Sequence, residues 1–458
     1  MTYDLESLRA TIAVLASEYG DEAFKEKPFR AGVDRVPVSR KKIGGGEMIY
    51  GVSALLDGWL TEGHWTDKFE EKFAKYLGVR FSSFCNSGSS ANFLALGACT
   101  SPLLKERRLM PGDPVLTTAL GFPTTINPIY FWRLKPIFID VELGTYVAHV
   151  DDIDNALVET LGDRGAMMMA HTLGNPWRAH EYVNYGGIFI IEDNCDGLGG
   201  LLSTRRMGSL GHISTNSFYP AHQMTTGEGG MVSTNNGRLK KAIESIRDWG
   251  RACWCPPGHD NTCGKRFEWR FADLPTGYDH KYVYSHLGLN LKSTDIQAAI
   301  GLAQLESIDT FKATRRKNFT RLLQGLKSEG LDEIFILPEP TFDSDPAWFG
   351  FPLTIRGRDT AEIGPPIIAR SIVLEYLNNC KIDTRLFFAG NYLSQPLRQH
   401  IPYIDEGRVF GSLDNTNKVA RDGFWIGCHH AMTDEMVDYV IRCFIGFRLE
   451  FRKHARAS

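Results

Sequence analysis

The sequence predicts an α/β fold: a large domain on a doubly wound, mixed but mostly parallel sheet, followed by a smaller C-terminal α+β domain. Three observations predict it. Short apolar runs alternate with helix-like segments between about residues 79 and 235. Several of these runs, IFID at 137–140, AMMMA at 166–170 and IFIIED at 188–193, are continuous instead of alternating, as strands covered by helices on both faces are. Beyond about residue 311 the pattern changes to a long helix, two or three strands and a closing helix, which marks a second unit.

The elements follow in order. The opening MTYDLESLRATIAVLASEYG mixes acids with apolar residues and has no basic start, so residues 1–35 are expected to form an amphipathic helix and arm, not a signal peptide. Within a large domain of residues 36–310, strands are expected at Val79–Cys85, Pro114–Thr118, Ile137–Val141, Ala166–Thr172, Gly187–Asp193, Ile213–Tyr219 and Gly230–Thr234. Leu239–Gly250 has helical spacing and stops at a glycine. Thr294 and Gln297 form a capping box ahead of Ile296, Ile300 and Ala303, which share one helix face. The stretch FGFPLTI is a strand of the small domain, residues 311–458, and a helix near Asp434–Arg452 closes the chain.

Composition narrows the class. Of the 458 residues, 43% are hydrophobic and 23% charged, ordinary values for a globular protein. A net charge of −3 gives no sign of a nucleic-acid or acidic-membrane partner, and no apolar run is long enough to span a bilayer. A cytoplasmic protein is the expectation. Nine cysteines are an odd number, and five of them (Cys85, Cys99, Cys380, Cys428, Cys443) stand singly in apolar surroundings as small core residues. The other four need a separate account.

Ligands of open α/β sheets gather at the carboxyl ends of the strands, so the residues there are the candidates. Asn86-Ser-Gly-Ser-Ser-Ala91 follows the first strand and opens a helix, a turn of small residues suited to an anion. Gly121-Phe122-Pro123-Thr124 follows the second, Leu173-Gly174-Asn175-Pro176 the fourth, Glu192 and Asp193 end the fifth, and Ser217-Phe218-Tyr219 leads to His222. In this order the set resembles the fold-type-I pyridoxal-phosphate enzymes in their sugar aminotransferase branch, over about residue 35 to the C-terminus. Gly58-Trp59-Leu60-Thr61-Glu62-Gly63 and the stretch Asn290…Gln297-Ala-Ala-Ile-Gly301 match that branch too. The resemblance implies that Ser89, Ser90 and Ser217 hold the cofactor phosphate, that Phe122 stacks on the pyridine and that Asp193 pairs with its protonated nitrogen. It also implies a homodimer in which Asn290 reaches the phosphate of the neighbouring subunit.

The branch's cofactor-tethering lysine falls at position 222, and here it is His222, with no lysine in SFYPAHQMTTGEGGMV (217–232). An imidazole cannot tether the aldehyde stably, so the cofactor is expected to be held non-covalently as pyridoxamine 5′-phosphate (PMP). His222 remains able to move a proton at the cofactor's C4′, and loss of a β-hydroxyl, dehydration, is then expected in place of transamination.

Cys253-Trp-Cys255-Pro-Pro-Gly-His-Asp-Asn-Thr-Cys263 lies in a Pro- and Gly-rich loop, and Cys195 follows Asp193 by two residues. Their spacing fits neither a zinc ribbon nor a plant-type ferredoxin, and by itself leaves zinc and iron–sulfur open. Replacing a hydroxyl by hydrogen needs two electrons, which favours a redox-active [2Fe–2S] cluster. With His222, the set Cys195, Cys253, Cys255 and Cys263 resembles the CDP-4-keto-6-deoxy-D-glucose 3-dehydrase group of the family, as do FYPAH, GEGG, RDWGR, NTCGKRF, GYDHKY, YSHLG and RLFFAGN. That resemblance implies that the four cysteines bind [2Fe–2S]. It also implies that an NADH-dependent flavin iron–sulfur reductase, or a ferredoxin or flavodoxin, supplies electrons, and that the substrate is a nucleotide diphosphate ketosugar. Asp196 and Tyr219 match positions flanking the cofactor. Asn194-Cys195-Asp196-Gly197 departs from the group, where a second cysteine and an alanine are expected. Arg251, Lys292 and Arg385 are candidate diphosphate partners. Two alternatives stay open: a dehydratase regenerated by glutamate without a cluster, and a non-catalytic scaffold on a transaminase-like fold.

Overall fold

The structure, a computed structural model, describes residues 4–255, 258–271, 273–357, 368–400 and 407–457. Its centre is a sheet built from β1 (Phe81–Cys85), β2 (Pro114–Thr118), β3 (Lys135–Ile139), β4 (Gly165–Ala170), β5 (Ile188–Asp193), a short hairpin of β6 (Leu201–Leu202) and β7 (Arg205–Arg206) set aside from it, then β8 (Ile213–Ser217) and β9 (Gly230–Thr234). Among the described residues the sheet has eight strands in the order β1-β9-β8-β5-β4-β2-β3, with the strand Arg408–Val409 at the edge beside β3. Every pairing from β8 to that edge is parallel, and β9 runs antiparallel to both of its neighbours, β8 and β1. The carboxyl ends of β1, β5 and β8 therefore open on one side. This bears out the expected α/β fold class with its mixed, mostly parallel sheet.

The continuous apolar strands have the predicted cause. Ala166 and Met168 of β4, with Phe189 and Ile191 of β5, pack into a core shared with Leu94, Ile126 and Ile243. Those three come from the helices α4 (Gly88–Cys99), α5 (Pro123–Phe131) and α7 (Gly237–Arg247). Their sequence neighbours Met167, Met169, Ile188 and Ile190 point the other way, into a core with Ile153 of α6 (Val150–Ala156), Trp177 and Tyr182. Both faces are buried, so neither set of alternating positions can be polar.

Three helices precede the sheet: α1 (Leu5–Ala23), α2 (Gly45–Leu56), on which α1 packs, and α3 (His64–Leu77). The capping-box helix and the long helix expected beyond residue 311 are one element, α8 (Asp295–Ser328), of 34 residues. Its Thr294 Oγ1 accepts from Gln297 N–H at 3.4 Å while Gln297 Oε1 accepts from Thr294 N–H at 3.1 Å. Ala298, Leu302 and Ile308 pack with Phe69, Phe73 and Phe84 beside the large sheet. Further along, Phe319, Leu322 and Leu326 belong to the core of a second sheet, ordered Phe335–Ile336, Gly350–Ile355, Gly423–Gly427, Thr384–Arg385. The expected boundary at 310/311 thus lies inside a continuous helix.

Local differences have local reasons. The helix expected to reach Gly250 ends at Arg247, because Trp249 and Gly250 turn with φ of 62° and 86°. A Cβ on Gly250 would lie 1.9 Å from the carbonyl oxygen of His286, so the turn needs glycine. Strand β4 stops at Ala170, since Leu173 (φ 50°) bends the following segment.

Asp295, at the start of α8, is fully buried and fixes the segment before α3. Its carboxylate accepts from the backbone N–H groups of Gly63 (2.8 Å) and Thr66 (3.0 Å) and from the Thr66 hydroxyl (2.7 Å). Replacing it with alanine strands these donors, and Asp295→Ala is expected to cost about 3 kcal/mol of unfolding free energy, read as a lower urea midpoint with an unchanged slope.

Candidate active site

The turn after β1 is an anion cradle. Ser87 caps α4: its Oγ accepts from the N–H of Ser90 at 3.1 Å, and the Ser90 hydroxyl stands 3.1 Å from it. The Ser89 hydroxyl donates to Thr124 Oγ1 at 3.1 Å, which ties the start of α4 to the start of α5, whose N-cap is Phe122. Two helix N-termini thus meet at one spot, where their unpaired N–H groups and dipoles favour negative charge. Gly88 keeps the cradle open: a Cβ there would sit 2.5 Å from Ser217 Cβ and 3.1 Å from Cys195 Sγ. Ser89, Ser90, Ser217 and Cys195 are therefore brought together, as the ends of β1, β5 and β8 require.

Asp193, at the end of β5, is 4% exposed and fully engaged. One oxygen accepts from Asn92 Nδ2 (2.8 Å) and Thr125 Oγ1 (2.6 Å), the other from the N–H of Cys195 (3.2 Å). Asn92 Oδ1 in turn accepts from the Thr215 hydroxyl of β8 at 2.6 Å. Neighbouring Glu192 closes a loop instead. It accepts from the backbone N–H groups of Gly208, Leu210 and Gly211 and meets His171 Nε2 at 3.0 Å.

His222 reaches the same pocket. Its Nδ1 lies 3.5 Å from Asp196 Oδ1, and its ring centroid is 5.0 Å from that of Phe349. The backbone is held twice: the N–H of His222 donates to Tyr219 O at 3.0 Å, and the fully buried Arg315 of α8 donates to His222 O at 3.2 Å. Burial first, then the Arg315 charge, pushes the imidazole down to about 4, with Asp193 acting the other way. Burial, then the charge of Asp193, pushes the Asp196 carboxyl up to about 8. At neutral pH both partners are uncharged. The Cys195 thiol is raised well above its ordinary value by burial and then by Asp193.

The remaining candidates frame the opening. Phe122 is half-exposed, edge-on to Phe388 at 5.9 Å, and Tyr219 is 52% exposed. Asn290 is exposed on a loop bridged to Asp248. Lys292 and Arg251 both stack on Trp249, at 3.5 and 4.5 Å from the ring centre, whereas Arg385 sits on the edge strand of the smaller sheet.

In the loop after α7, Cys253, Cys255 and a ring nitrogen of His280 all lie within 4.8 Å of one another, and Cys263 Sγ is 3.1 Å from His280 Nε2. Burial raises the Cys255 thiol, but hydrogen bonds from Thr262, Cys263 and Cys253 together outweigh it and bring the thiol down to about 7. Among the described residues the group within 4.8 Å includes neither Cys263 nor Cys195. Cys195 sits at the end of β5 with the cofactor-site residues, while the other three follow α7.

With this geometry in place, similarity to known proteins is decisive. Residues 44–445 match the family model described as the DegT/DnrJ/EryC1/StrS aminotransferase family. The chain belongs to that family. It is 48% identical over 444 residues to the lipopolysaccharide biosynthesis protein RfbH of Salmonella typhimurium (strain LT2), covering 96% of this chain and 98% of the relative. It is 44% identical over 438 residues to the dTDP-4-dehydro-2,6-dideoxy-D-glucose 3-dehydratase of Saccharopolyspora spinosa, covering 95% and 91%. The solved E. coli GDP-4-keto-6-deoxy-D-mannose-3-dehydratase with bound hydrated PLP superimposes with a TM-score of 0.77 at 23% identity, over 90% of this chain and 99% of that one, a likeness of fold. The sequence resemblance to sugar 3-dehydrases is borne out.

As a member of this aminotransferase family, the chain has a pocket that fits a pyridoxal or pyridoxamine phosphate. The glycine-lined cradle at two helix N-termini suits the phosphate, and the anchored Asp193 suits a protonated ring nitrogen. Sequence reasoning missed Asn92, Thr125 and Arg315, which carry no motif because their partners are distant in the chain. It also passed over His280, although GYDHKY was visible. Adding a methyl group to the cradle is a direct check: Gly88→Ala is expected to weaken retention of added pyridoxal phosphate at least tenfold, measured by absorbance after gel filtration, while the circular dichroism stays that of the parent.

Proposed function

We propose that this protein removes the C3 hydroxyl of a nucleotide-linked 4-keto-6-deoxyhexose, replacing it with hydrogen, with PMP held non-covalently. The observation that carries this reading is His222, placed beside Asp196 in a family pocket where the tethering residue is ordinarily lysine. When bound, the cofactor supplies an amine that condenses with the 4-ketone and a ring that withdraws electrons. Asp193 would keep the ring nitrogen protonated, Ser89, Ser90, Ser217 and the two helix ends would hold the phosphate, and Phe122 would cover the ring. His222 takes the proton at C4′. An uncharged imidazole can accept it, and Asp196, 3.5 Å from Nδ1, faces the cation that forms. Tyr219 O accepts from the His222 N–H and Arg315 donates to His222 O, and together they hold the His222 backbone in place.

Overall, a C–OH bond becomes C–H with uptake of two electrons and two protons and release of water. A [2Fe–2S] cluster supplies electrons singly, and the closeness of Cys253 and Cys255, with Cys263 Sγ 3.1 Å from the His280 ring that they also approach, supports one in the loop. A flavin iron–sulfur reductase, or a ferredoxin or flavodoxin, is the matching donor. A homodimer is supported by the surface around Asn290, where Tyr282, Tyr284, Leu287 and Leu289 are all more than half exposed.

Incubation of the anaerobically purified protein with PMP, dithionite and a CDP- or dTDP-linked 4-keto-6-deoxyhexose tests the reading. The expected product is lighter by one oxygen atom, with turnover greater for one of the two nucleotides. An unchanged sugar, or an aminosugar made with glutamate, would overturn it. Turnover with glutamate and no reductant would instead assign the cluster-free alternative.

The pH profile follows from the site. His222 must be unprotonated, and its lowered value keeps it so far below the ordinary imidazole range. The acid limb of kcat/KM is therefore expected near pH 4 instead of 6.5, with a change on the alkaline side near 8 as Asp196 ionises. His222→Asn is expected to remove the acid limb together with at least a hundredfold of the rate.

A further inference from the structure

A second concave site lies along the N-terminal arm. After α1 the chain between Phe24 and Ile43 lines a groove of about 750 Å³, to which Ala431 and Met436 also contribute. Seven of the lining residues are lysine or arginine and two, Glu26 and Asp34, are acidic, in a chain whose net charge is −3. Ion pairs occupy four of the seven: Lys25 with Glu22 (3.6 Å), Arg30 with Asp34 (2.8 Å), Arg35 with Asp383 (2.9 Å) and Lys42 with Glu26 (3.1 Å). Lys27, Arg40 and Lys41 are exposed and have no ion pair among the described residues. We infer that this groove binds a diphosphate-bearing anion. A nucleotide-linked sugar carries that group, so the assignment deepens the function proposed above; the substrate as the source of the anion rests on that reading.

The arm is fixed along its length, which orders the cations before a ligand arrives. Val36 joins the smaller sheet: its N–H donates to Lys381 O at 2.8 Å and its carbonyl accepts from the N–H of Asp383 at 2.9 Å. Pro37 O accepts from His429 Nε2 at 3.0 Å, and Lys42 O accepts from Gln304 Nε2 at 2.8 Å. The same ties lead to the cofactor pocket. Gln304 Oε1 accepts from the N–H of Thr225, three residues after His222, at 3.1 Å. His430, next to His429, accepts from Nε of Arg315, the residue that donates to His222 O. Val38 belongs to the apolar cluster that also takes in Ala221, Phe349 and Phe388. Phe349 packs on the His222 ring and Phe388 on Phe122. Lys42 is thus one side chain away from the turn that follows His222.

Diphosphate is the anion that this arrangement suits. A guanidinium meets phosphate oxygens through paired N–H donors, and a lysine adds a point charge. Arg40 and Lys41 are adjacent in sequence, and no carboxylate among the described residues neutralises them, so their charge is available to two phosphates. A concave surface concentrates the field of such groups. Phe24, half-exposed, and Phe29 line the same groove and offer ring faces to a nucleobase. The basic residues picked out by sequence after α7 are already engaged: Lys292 pairs with Asp248 at 3.6 Å, and both it and Arg251 stack on Trp249.

Isothermal titration with CDP, dTDP and inorganic pyrophosphate tests the inference, on protein loaded with pyridoxal phosphate so that the cradle after β1 is filled. The variants are Arg40→Ala, Lys41→Ala, the two together, Arg40→Lys, and Lys327→Ala as an exposed lysine in the last turn of α8, all checked for parental circular dichroism. One charge-assisted bond to phosphate corresponds to about tenfold in affinity. Each alanine variant is therefore expected to bind about tenfold more weakly and the double variant about a hundredfold. Arg40→Lys recovers part of the loss, Lys327→Ala binds as the parent does, and added salt weakens the parent. A parent that binds none of the three anions, or a double variant that binds them as the parent does, would overturn the inference. The source of the anion is read from turnover of the ketosugar nucleotide. A raised KM with parental kcat in the double variant assigns the groove to the substrate's own diphosphate, whereas a parental KM beside weakened CDP binding assigns it to a free diphosphate. A parent that binds CDP through Arg40 and Lys41 yet dehydrates no ketosugar leaves the site standing and fails the function proposed above.

Discussion

A buried carboxylate cannot be left without partners, and the arrangement of this protein's pocket follows from how Asp193 is satisfied. Its donors come from three directions: Asn92 on α4, Thr125 on α5 and the N–H of Cys195 beyond β5. Thr215 on β8 extends the chain through Asn92. The two helices that supply this network also supply the N-termini of the anion cradle, so one set of bonds fixes the distance between a site for phosphate and a site for a cationic ring nitrogen. Displacing either helix would strand a charge in the core as well as open the cradle.

The same reasoning applies to His222, but with the opposite sign. Its side chain is uncharged because burial and the Arg315 guanidinium both disfavour the cation. Arg315 remains positive, even though burial pushes it down to about 10. It is spread over the carbonyls of His222, Trp348 and Phe349 and the Nδ1 of His430. One buried cation therefore joins α8, the segment before Gly350–Ile355 and the turn that carries the proposed base, and it tunes the ring that it positions. Asp196 shows the complementary effect: burial and crowding by Asp193 raise it until it carries a proton at neutral pH.

Much of this was legible in the chain. The runs at β2 and β9 were read to the residue, because both faces of the sheet are dry and turn residues punctuate each strand. Thr294 and Gln297 announced their helix through a contact spanning three residues. Ser89, Ser90, Asp193 and Ser217 could be selected because strand ends of an open sheet converge by topology, whatever the details of packing. Where the reading fell short, the cause was distance along the chain. Asn92 and Asp193 are 101 residues apart, Arg315 and His222 are 93 apart, and neither pairing leaves a local pattern. The long helix was split in two for a related reason: its apolar face changes partner midway, from the large sheet's core to the smaller sheet's, so its periodicity is interrupted although its backbone is not.

By itself the sequence determined the fold class, the family and the replacement of lysine by histidine at 222, since these depend on residue identity and on order along the chain. Only the tertiary structure decided which groups share a space. It set Asp196 beside the imidazole, drew His280 to three loop thiols and left Cys195 at the end of β5, because side-chain proximity follows from how strands and loops pack and is invisible to spacing alone.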